Sequence, residues 1–235
     1  MSSNLRELGL ISELRGLELF RSSSENDIEQ LCKDSQVVIT NHKQLLFKAG
    51  SSAQHFYLVL SGAFKLTRLS LQGEDTIVHF SSPGDVIGAF IMTQKDPRYP
   101  ISGVSMGPSR SLKIPRTNYL TSWQNNIDLN HKIQNSLSSR MTALQNQMTL
   151  KKSSLQTKIA CLLIQLANKQ TEDQKQLLVP IPLTRREIAE AVGASVESVI
   201  RIMSLWSKRG YVSTNEQCIT ILETEKIIEL TEKDC

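Results

Sequence analysis

The stretch LTRREIAEAVGASVESVIRIMSLWSKRGYV, residues 183–212, decides how the whole chain is interpreted. Thr184 is followed three residues later by Glu187, which is the pattern of a capping box. A helix is therefore predicted to start at Arg185. Gly193 then supplies a turn, because a residue without a Cβ adopts left-handed backbone angles at little cost. The pattern predicts two helices joined by a tight turn.

The apolar residues of these two helices recur at three- and four-residue steps, as expected for amphipathic helices that pack on each other. They are Ile188, Ala189 and Val192 in the first helix, and Val199, Ile202, Leu205 and Trp206 in the second, which Ser195 is placed to cap. Ala189, Gly193 and Val199 have the spacing of a helix-turn-helix, in which they are the small residue, the turn glycine and the first apolar residue of the second helix. An ordinary corner between two helices remains the alternative.

The solvent side of the second helix carries residue types that read base edges in a DNA major groove. Arg can donate two hydrogen bonds to guanine and Glu can accept one from cytosine, so Arg201 and Glu197, one turn apart, suit neighbouring base pairs. Val196 and Ser198 lie beside them and complete the predicted base-reading set. A surface ion pair between Glu197 and Arg201 is the alternative, and the two interpretations are compatible.

Positive charge around this motif predicts contact with the phosphate backbone. The formal net charge is +4, and most of the positive excess lies between Lys151 and Tyr211. The predicted phosphate contacts are Arg185, Arg186, Ser195 and Lys208. After Gly210, the segment YVSTNEQCITILE indicates strand, turn and strand, which is the wing of a winged helix-turn-helix.

The N-terminal part has a different sequence pattern, which favours strands. Residues 37–114 form short β-rich runs that glycines punctuate at roughly 11-residue steps, the turn spacing of an all-β roll or barrel. Two short helices are expected before it, with Ser24 and Asp27 able to cap the second. A short strand is expected at Val179–Leu183. The predicted fold class is α+β, with a sensor β-roll at residues 1–115, a dimerisation helix at 116–152 and a winged helix-turn-helix at 153–235.

The segment after Pro115 indicates a long helix with one break near residues 151–154. Its apolar residues recur at three- and four-residue steps, the pattern of a helix that pairs with a copy of itself. They are Ile133, Leu137, Met141, Leu144 and Met148. A helix that packs on its own barrel is the alternative. The polar opposite face and the length of the run favour a homodimer.

The chain resembles the Crp/Fnr family of bacterial transcription regulators over residues 20–222. FKAGSSAQHFYLVLSGAFKL (47–66) and GEDTIVHFSSPGDVIGAF (73–90) look like the family's cyclic-nucleotide-binding-type barrel, and LQTKIACLLIQLA (155–167) looks like the start of its DNA-binding domain. The resemblance implies a homodimer that binds palindromic double-stranded DNA and contacts RNA polymerase, with TGA-type half-sites. Glu197 and Arg201 match the base-reading positions; Val196, where some members have Arg, resembles the Fnr-like branch, although Ile200 replaces its common Ser.

The positions that hold cyclic AMP in other members differ here. Gly88 is followed by Ala89 instead of Glu, and the phosphate-binding Arg position holds Tyr99 before Pro100. Arg98 is displaced by one residue, which on a strand turns a side chain to the other face. The positions that meet the purine are Ala143 and Leu144, which have no hydroxyl group. A phosphate without an Arg partner would be a poorly compensated buried charge, so cyclic AMP is not the expected ligand.

The Cys and His residues bear on other possible effectors. An iron–sulfur cluster needs a group of Cys residues, and none precedes Cys32. Haem stays open, with candidate ligands His42, His55, His79 and His131, although single His residues more often have ordinary surface or hydrogen-bonding roles. Three possibilities remain: another small ligand, haem or nitric oxide sensing, and constitutive activity without a ligand, which we favour.

Two further function classes are weighed against a DNA-binding regulator. A ligand-binding regulatory module could use its helix-turn-helix for protein contacts alone. An enzyme is not expected, because the sequence has no Ser/His/Asp set, metal-spaced cluster or phosphate-cradling glycine loop. The four Cys residues are far apart, the N-terminus does not resemble a signal peptide and no apolar run is long enough to span a membrane, so a cytoplasmic protein with reduced thiols is expected.

Overall fold

The computed structural model describes residues 9–69, 75–167 and 176–232. Its contacts divide the chain into two compact units, residues 1–69 with 79–139 and residues 70–78 with 140–235. The division falls within the long helix after the roll, and each unit is described by itself below.

The first unit starts with two short helices, as predicted. Helix α1 spans Leu10–Gly16, a single turn follows at Glu18–Phe20, and α2 spans Glu25–Leu31. Ser24 caps α2: its hydroxyl accepts from the Asp27 amide at 3.2 Å, and the Asp27 carboxylate accepts from the Ser24 amide at 3.1 Å. These reciprocal bonds satisfy amides at the helix start that would otherwise have no partner.

Eight strands then form two four-stranded sheets, which confirms the predicted β-roll. They are β1 (Gln36–Thr40), β2 (Leu45–Phe47), β3 (His55–Ser61), β4 (Phe64–Leu69), β5 (Asp75–Ser81), β6 (Val86–Ile87), β7 (Ser102–Ser105) and β8 (Ser109–Pro115). The strand orders are β1-β8-β3-β6 and β2-β7-β4-β5. Strand β8 pairs antiparallel with both β1 and β3.

Strand β7, with the sequence SGVS, was not predicted. The β-rich runs recognised within residues 37–114 were VVIT, QLLF, FYLVL, AFKLTRL, TIVHF, DVIGAF and SLKI. Small residues have low strand propensity, so the local pattern gave no sign of β7. The structure supplies the reason for the glycine: a Cβ on Gly103 would lie 2.9 Å from ring atoms of Phe47. The neighbouring ring takes the space of a side chain, and tertiary packing determines the strand.

A continuous helix from residue 116 was predicted, and this is wrong at residues 124–126. Helix α3 (Arg116–Asn118) runs into a wide turn at Tyr119–Trp123, and the long helix α4 starts only at Ile127 and ends at Thr149. The Asn126 carboxamide oxygen accepts from the Leu129 amide at 3.0 Å and so caps α4. Trp123 anchors the turn: its indole donates to the Leu31 carbonyl at 2.8 Å.

The second unit contains the remaining elements. After one turn at Leu150–Lys152 come α5 (Leu155–Ala167), β9 (Leu177–Leu178), α6 (Arg185–Val192), α7 (Val196–Lys208), β10 (Val212–Asn215), β11 (Cys218–Ile221) and α8 (Thr224–Glu232). The three strands form an antiparallel sheet in the order β10-β11-β9. The strand expected at Val179–Leu183 is wrong in position and length, because β9 spans only Leu177–Leu178 and none of the expected residues is in a strand. Helix α8 had not been predicted. No helix among the described residues is long and apolar enough to cross a membrane.

Candidate nucleic-acid interface

Helix α6 starts at Arg185, as its capping box predicts. The Thr184 hydroxyl accepts from the Glu187 amide at 3.1 Å and donates to the Glu187 carboxylate at 2.8 Å. The Thr184 amide also donates to that carboxylate, at 3.0 Å. Glu187 is only 5% exposed, and these bonds compensate the burial of its charge. The start of the helix-turn-helix is therefore held rigidly.

The turn and the second helix also follow the prediction. Gly193 ends α6 with φ +68° and ψ 50°, left-handed angles that a residue with a Cβ resists. The Ala194 amide donates to the Ala189 carbonyl at 3.0 Å and closes the turn. The Ser195 hydroxyl then accepts from the Ser198 amide at 3.3 Å, so Ser195 caps α7.

The buried side of α7 differs from the prediction at two residues, Met203 and Leu205. It consists of Val199, Ile202, Met203 and Trp206. Leu205, which was predicted to be buried, is 37% exposed and lines an open groove with Leu155 and Ile202. The physical reason is the position of each side chain around the helix axis. Met203 lies within the sector that the other buried residues occupy, and Leu205 lies at the edge of that sector.

The predicted base-reading residues lie either opposite the buried side of α7 or at its edges. Glu197 and Arg201 are exposed, whereas Val196 and Ser198 are half-buried. Within the described part of the chain, neither a hydrogen bond nor an ion pair joins Glu197 to Arg201, although they lie one turn apart. The guanidinium therefore presents its donors, and the carboxylate its acceptors, to whatever docks on this face.

The predicted phosphate-contacting residues fall into two groups. Ser195 and Lys208 are exposed, and Arg186 is exposed while forming an ion pair with Glu190 at 3.0 Å. Arg185 is instead half-buried and donates from Nη2 to the Thr214 hydroxyl at 2.9 Å. Burial lowers the pKa of Arg185 from its ordinary value. Arg185 thus links α6 to the wing, a role that the sequence did not indicate because Thr214 is 29 residues away.

The predicted wing is present as the hairpin of β10 and β11. Glu216 and Gln217 at its tip have φ values of +47° and +68°, the signs that a tight two-residue hairpin turn requires. The Leu183 amide donates to the Gln217 carbonyl at 2.9 Å, so the segment just before α6 holds the wing tip as well. Together with the Arg185 bond, this attaches the wing to the helix-turn-helix.

The degenerate effector positions of the roll are filled by aromatic packing. Tyr99 is 4% exposed, and its ring stacks on Phe47 with centroids 4.2 Å apart. Its hydroxyl donates to the His55 carbonyl at 2.6 Å. A Cβ on Gly88, whose φ is +83°, would lie 3.4 Å from the Tyr99 ring. Burial raises the pKa of Tyr99 far above its ordinary value, so this group is neutral at physiological pH.

The residues beside Tyr99 and Gly88 offer no cation to this packed region. Arg98 is exposed and forms bonds to the Gly50 carbonyl at 3.1 Å and to Asp96 at 3.3 Å. Ala89 is buried and Pro100 is exposed. In the second unit, Ala143 is half-buried and Leu144 is 41% exposed. Phe47, the stacking partner, was missed because an aromatic residue in a strand looks like ordinary core.

The four candidate haem ligands lie in different surroundings. His42 bonds from Nδ1 to the Met106 carbonyl at 2.7 Å and is exposed, as is His131. His55 and His79 are half-buried, and burial together with Lys113 lowers the pKa of His55. Among the described residues, no three His, Cys, Asp or Glu side chains are grouped as metal ligands would be.

The apolar residues predicted for dimerisation differ in exposure. Ile133 is buried within its own unit at 7% exposure, so packing on its own chain, the stated alternative, holds at this position. Leu137 is half-buried, while Met141 and Leu144 are 59% and 41% exposed. The Met148 side chain lies outside the described residues. The apolar stripe therefore consists of the half-buried Leu137 and the exposed Met141 and Leu144.

Comparison with known proteins agrees with both parts of the structure. The family of cyclic nucleotide-binding domains matches residues 40–126, and that of Crp-like helix-turn-helix domains matches residues 157–230. A CRP-like cAMP-activated global transcriptional regulator of Mycobacterium tuberculosis is 24% identical over 89% of this chain and 94% of that relative. An anaerobic regulatory protein of Haemophilus influenzae is 27% identical over 80% of this chain and 73% of its own length.

The fold is shared with solved structures. FixK2 from Bradyrhizobium japonicum superposes with a TM-score of 0.70 at 17% identity, covering 83% of this chain and 96% of that one. Both matched domains occur in the order in which the roll and the helix-turn-helix occur here. With its roll, its capped helix-turn-helix and its wing, the chain belongs to the Crp/Fnr family and is a DNA-binding transcription regulator of that type.

Proposed function

We propose that the protein acts as a homodimer that reads palindromic DNA with TGA-type half-sites, without a requirement for cyclic AMP. The observation that carries the DNA-reading part is the exposed pair Glu197 and Arg201 on the face of α7 opposite its buried side. Arg201 is assigned to a guanine and Glu197 to a cytosine amino group, because these pairings match donors to acceptors.

The half-buried Val196 and Ser198 flank this pair and shape the contact. Ser195, Arg186 and Lys208 bind phosphates and supply affinity that does not depend on sequence. Arg186 exchanges its bond with Glu190 for a phosphate oxygen; both partners are near the surface, so little is lost. Arg185 contributes to DNA binding indirectly, because its hydrogen bond to Thr214 holds the wing in place.

Dimerisation is assigned to the stripe Leu137, Met141 and Leu144 on α4. Two of these side chains are largely exposed in the single chain, and pairing with a second copy removes them from water. A two-fold dimer sets two α7 helices against two half-sites about one DNA turn apart, which is why a palindrome is expected.

Independence from cyclic AMP is supported by the packing around Tyr99. A ring phosphate needs a cation, and this position presents a stacked phenol whose hydroxyl already donates to a backbone carbonyl. The relative from Mycobacterium tuberculosis that is 24% identical to this chain is described as cAMP-activated, so calorimetry with cyclic AMP is a direct check. Tight binding would contradict this part of the proposal.

Haem or another small ligand stays the second candidate for the sensor, through the half-buried His55 or His79. An absorption spectrum of the freshly purified protein tests haem. Contact with RNA polymerase is proposed on the family resemblance, and transcription in vitro with purified polymerase measures it.

The decisive test compares Arg201→Ala with Arg209→Ala on DNA sites selected from a random pool. Arg201→Ala is expected to cost about 1 to 3 kcal/mol on the preferred site and to relax one base position, because the guanine loses a two-bond partner. Arg209, exposed just after α7, serves as the control for loss of one positive charge. Equal loss on every sequence for both variants would mean that Arg201 contacts only phosphate.

A further inference from the structure

The exposed side of α7 carries one aliphatic residue whose place suggests a function. Ile200 is 47% exposed and directly precedes Arg201. Single exposed aliphatic residues are common on protein surfaces, so exposure alone decides nothing. What distinguishes Ile200 is its position within the face that is proposed to enter the major groove.

Helix geometry gives the order of the side chains around this face. Successive residues are turned by about 100°, so Ile200 lies about 40° from Val196 and about 60° from Glu197. Going around the axis, the order is Val196, Ile200, Glu197 and Arg201. The face therefore has an apolar half and a charged half, and Ile200 lies directly beside the carboxylate that reads a base edge.

The chemistry of Ile200 restricts what it can recognise. It has neither donor nor acceptor, so it cannot tell bases apart by hydrogen bonds. The C5 methyl group of thymine is the apolar group that a base pair displays in the major groove. The β-branched side chain is also nearly fixed at χ1 in a helix, so its methyl groups are held in place before DNA arrives.

We propose that Ile200, supported by Val196, is a specificity-determining residue that contacts the methyl group of a thymine next to the pair read by Glu197 and Arg201. This inference rests on the proposed function and adds a preference for thymine at that position. Burying one methyl group against an aliphatic side chain changes affinity by about three- to tenfold, which is measurable in a direct titration.

The test replaces each thymine of a selected palindrome, one symmetric pair at a time, by deoxyuridine, which removes only the methyl group. Binding is measured for the wild type, Ile200→Ala and, as a control, Leu205→Ala. Leu205 is the other exposed large aliphatic residue of α7 and lies about 140° around the axis from Ile200. Both positions tolerate truncation structurally, because the removed atoms are near solvent.

The expected result is one thymine per half-site at which deoxyuridine weakens wild-type binding about three- to tenfold. At this position Ile200→Ala binds thymine and deoxyuridine DNA equally, while Leu205→Ala keeps the wild-type difference. A wild type indifferent to every replacement, or an Ile200→Ala variant that keeps the difference, overturns the inference. The proposed function is judged separately by Arg201→Ala, which tests hydrogen bonding to guanine and does not depend on any methyl group.

Discussion

Gly62 turns the chain between β3 and β4 with a φ of +76°. A Cβ at this residue would lie 2.6 Å from the Pro108 carbonyl oxygen and 2.7 Å from the Ser109 Cα, which are backbone atoms that cannot swing away. Gly50 has a similar φ of +81° but open space around its missing Cβ. Comparing substitutions at the two glycines therefore separates the effect of steric crowding from that of backbone strain.

We predict that Gly62→Ala lowers the free energy of unfolding by about 2 to 5 kcal/mol, the sum of left-handed strain and overpacking. Gly50→Ala is expected to cost only the strain, about 1 to 2 kcal/mol. Urea unfolding followed by tryptophan fluorescence measures both. Equal losses for the two variants would show that the contact with β8 is unimportant.

Cys32 is a second residue whose surroundings lead to a prediction. Its side chain is fully buried in the first unit, and burial raises the pKa of the thiol to about 12. In the unfolded chain the thiol ionises near its ordinary value of 9.0. Folding therefore favours the protonated form, and the stability linked to this proton is fully present below pH 9 and is lost as pH rises towards 12.

We predict that the free energy of unfolding of the wild type falls between pH 9.5 and 10.5 by about 1 kcal/mol more than that of Cys32→Ala. Burial also raises the pKa of Tyr57 and Tyr119, but both are present in each protein, so the difference isolates Cys32. Cys218→Ala, at an exposed site, is the control and should follow the wild type. Parallel curves for all three proteins would contradict burial of the thiol.

Among the elements, the wing is joined by two hydrogen bonds to α6 and to the segment just before it. One is from the Leu183 amide to the Gln217 carbonyl and the other from Arg185 to the Thr214 hydroxyl. The wing strands form a three-stranded sheet with β9, and three of the four residues of β10 are exposed. These two hydrogen bonds fix the position of the wing relative to the start of α6.

We predict that Thr214→Val, which removes the acceptor for Arg185 while keeping the shape, weakens binding to all duplexes by about three- to tenfold. The order of preferred sequences should not change, because Glu197 and Arg201 are untouched. Ser213→Ala, one residue earlier in the same strand, is the control. A change of base preference in Thr214→Val would mean that the wing itself reads sequence.

At the scale of the whole molecule, the exposed stripe of α4 determines the expected assembly. Met141 and Leu144 are largely exposed, while Thr142 is exposed on the opposite side of the same helix. Isolated helices that present such a stripe bury it against a partner of the same kind. The proposed two-fold dimer also brings two DNA-reading units together.

We predict that the double variant Met141→Glu/Leu144→Glu sediments at the 26.4 kDa mass of one chain, whereas the wild type sediments at twice that mass. Charge repulsion and lost apolar burial both act against pairing in the variant. Thr142→Glu should remain dimeric. A monomeric wild type, or a double variant that stays dimeric, would rule out this stripe as the interface.

Much of the fold could be predicted because its signals are local. The capping box at Thr184, the turn at Gly193 and the β-rich runs each depend on residues within a few positions of one another. The start of α7 after Ser195 and most of its buried side were predicted correctly. Met203 is buried in place of the expected Leu205, because Leu205 lies at the edge of the buried sector of the helix.

The sequence by itself determined the α+β class, the roll, the helix-turn-helix with its exposed Glu197 and Arg201, and the family. Tertiary structure alone decided strand β7, the link from Arg185 to Thr214 and the packing of Tyr99 on Phe47. The physical reason is distance along the chain. Capping and amphipathic spacing are set by near neighbours, whereas these contacts join residues about 29 to 59 positions apart, whose meeting depends on how the whole domain packs.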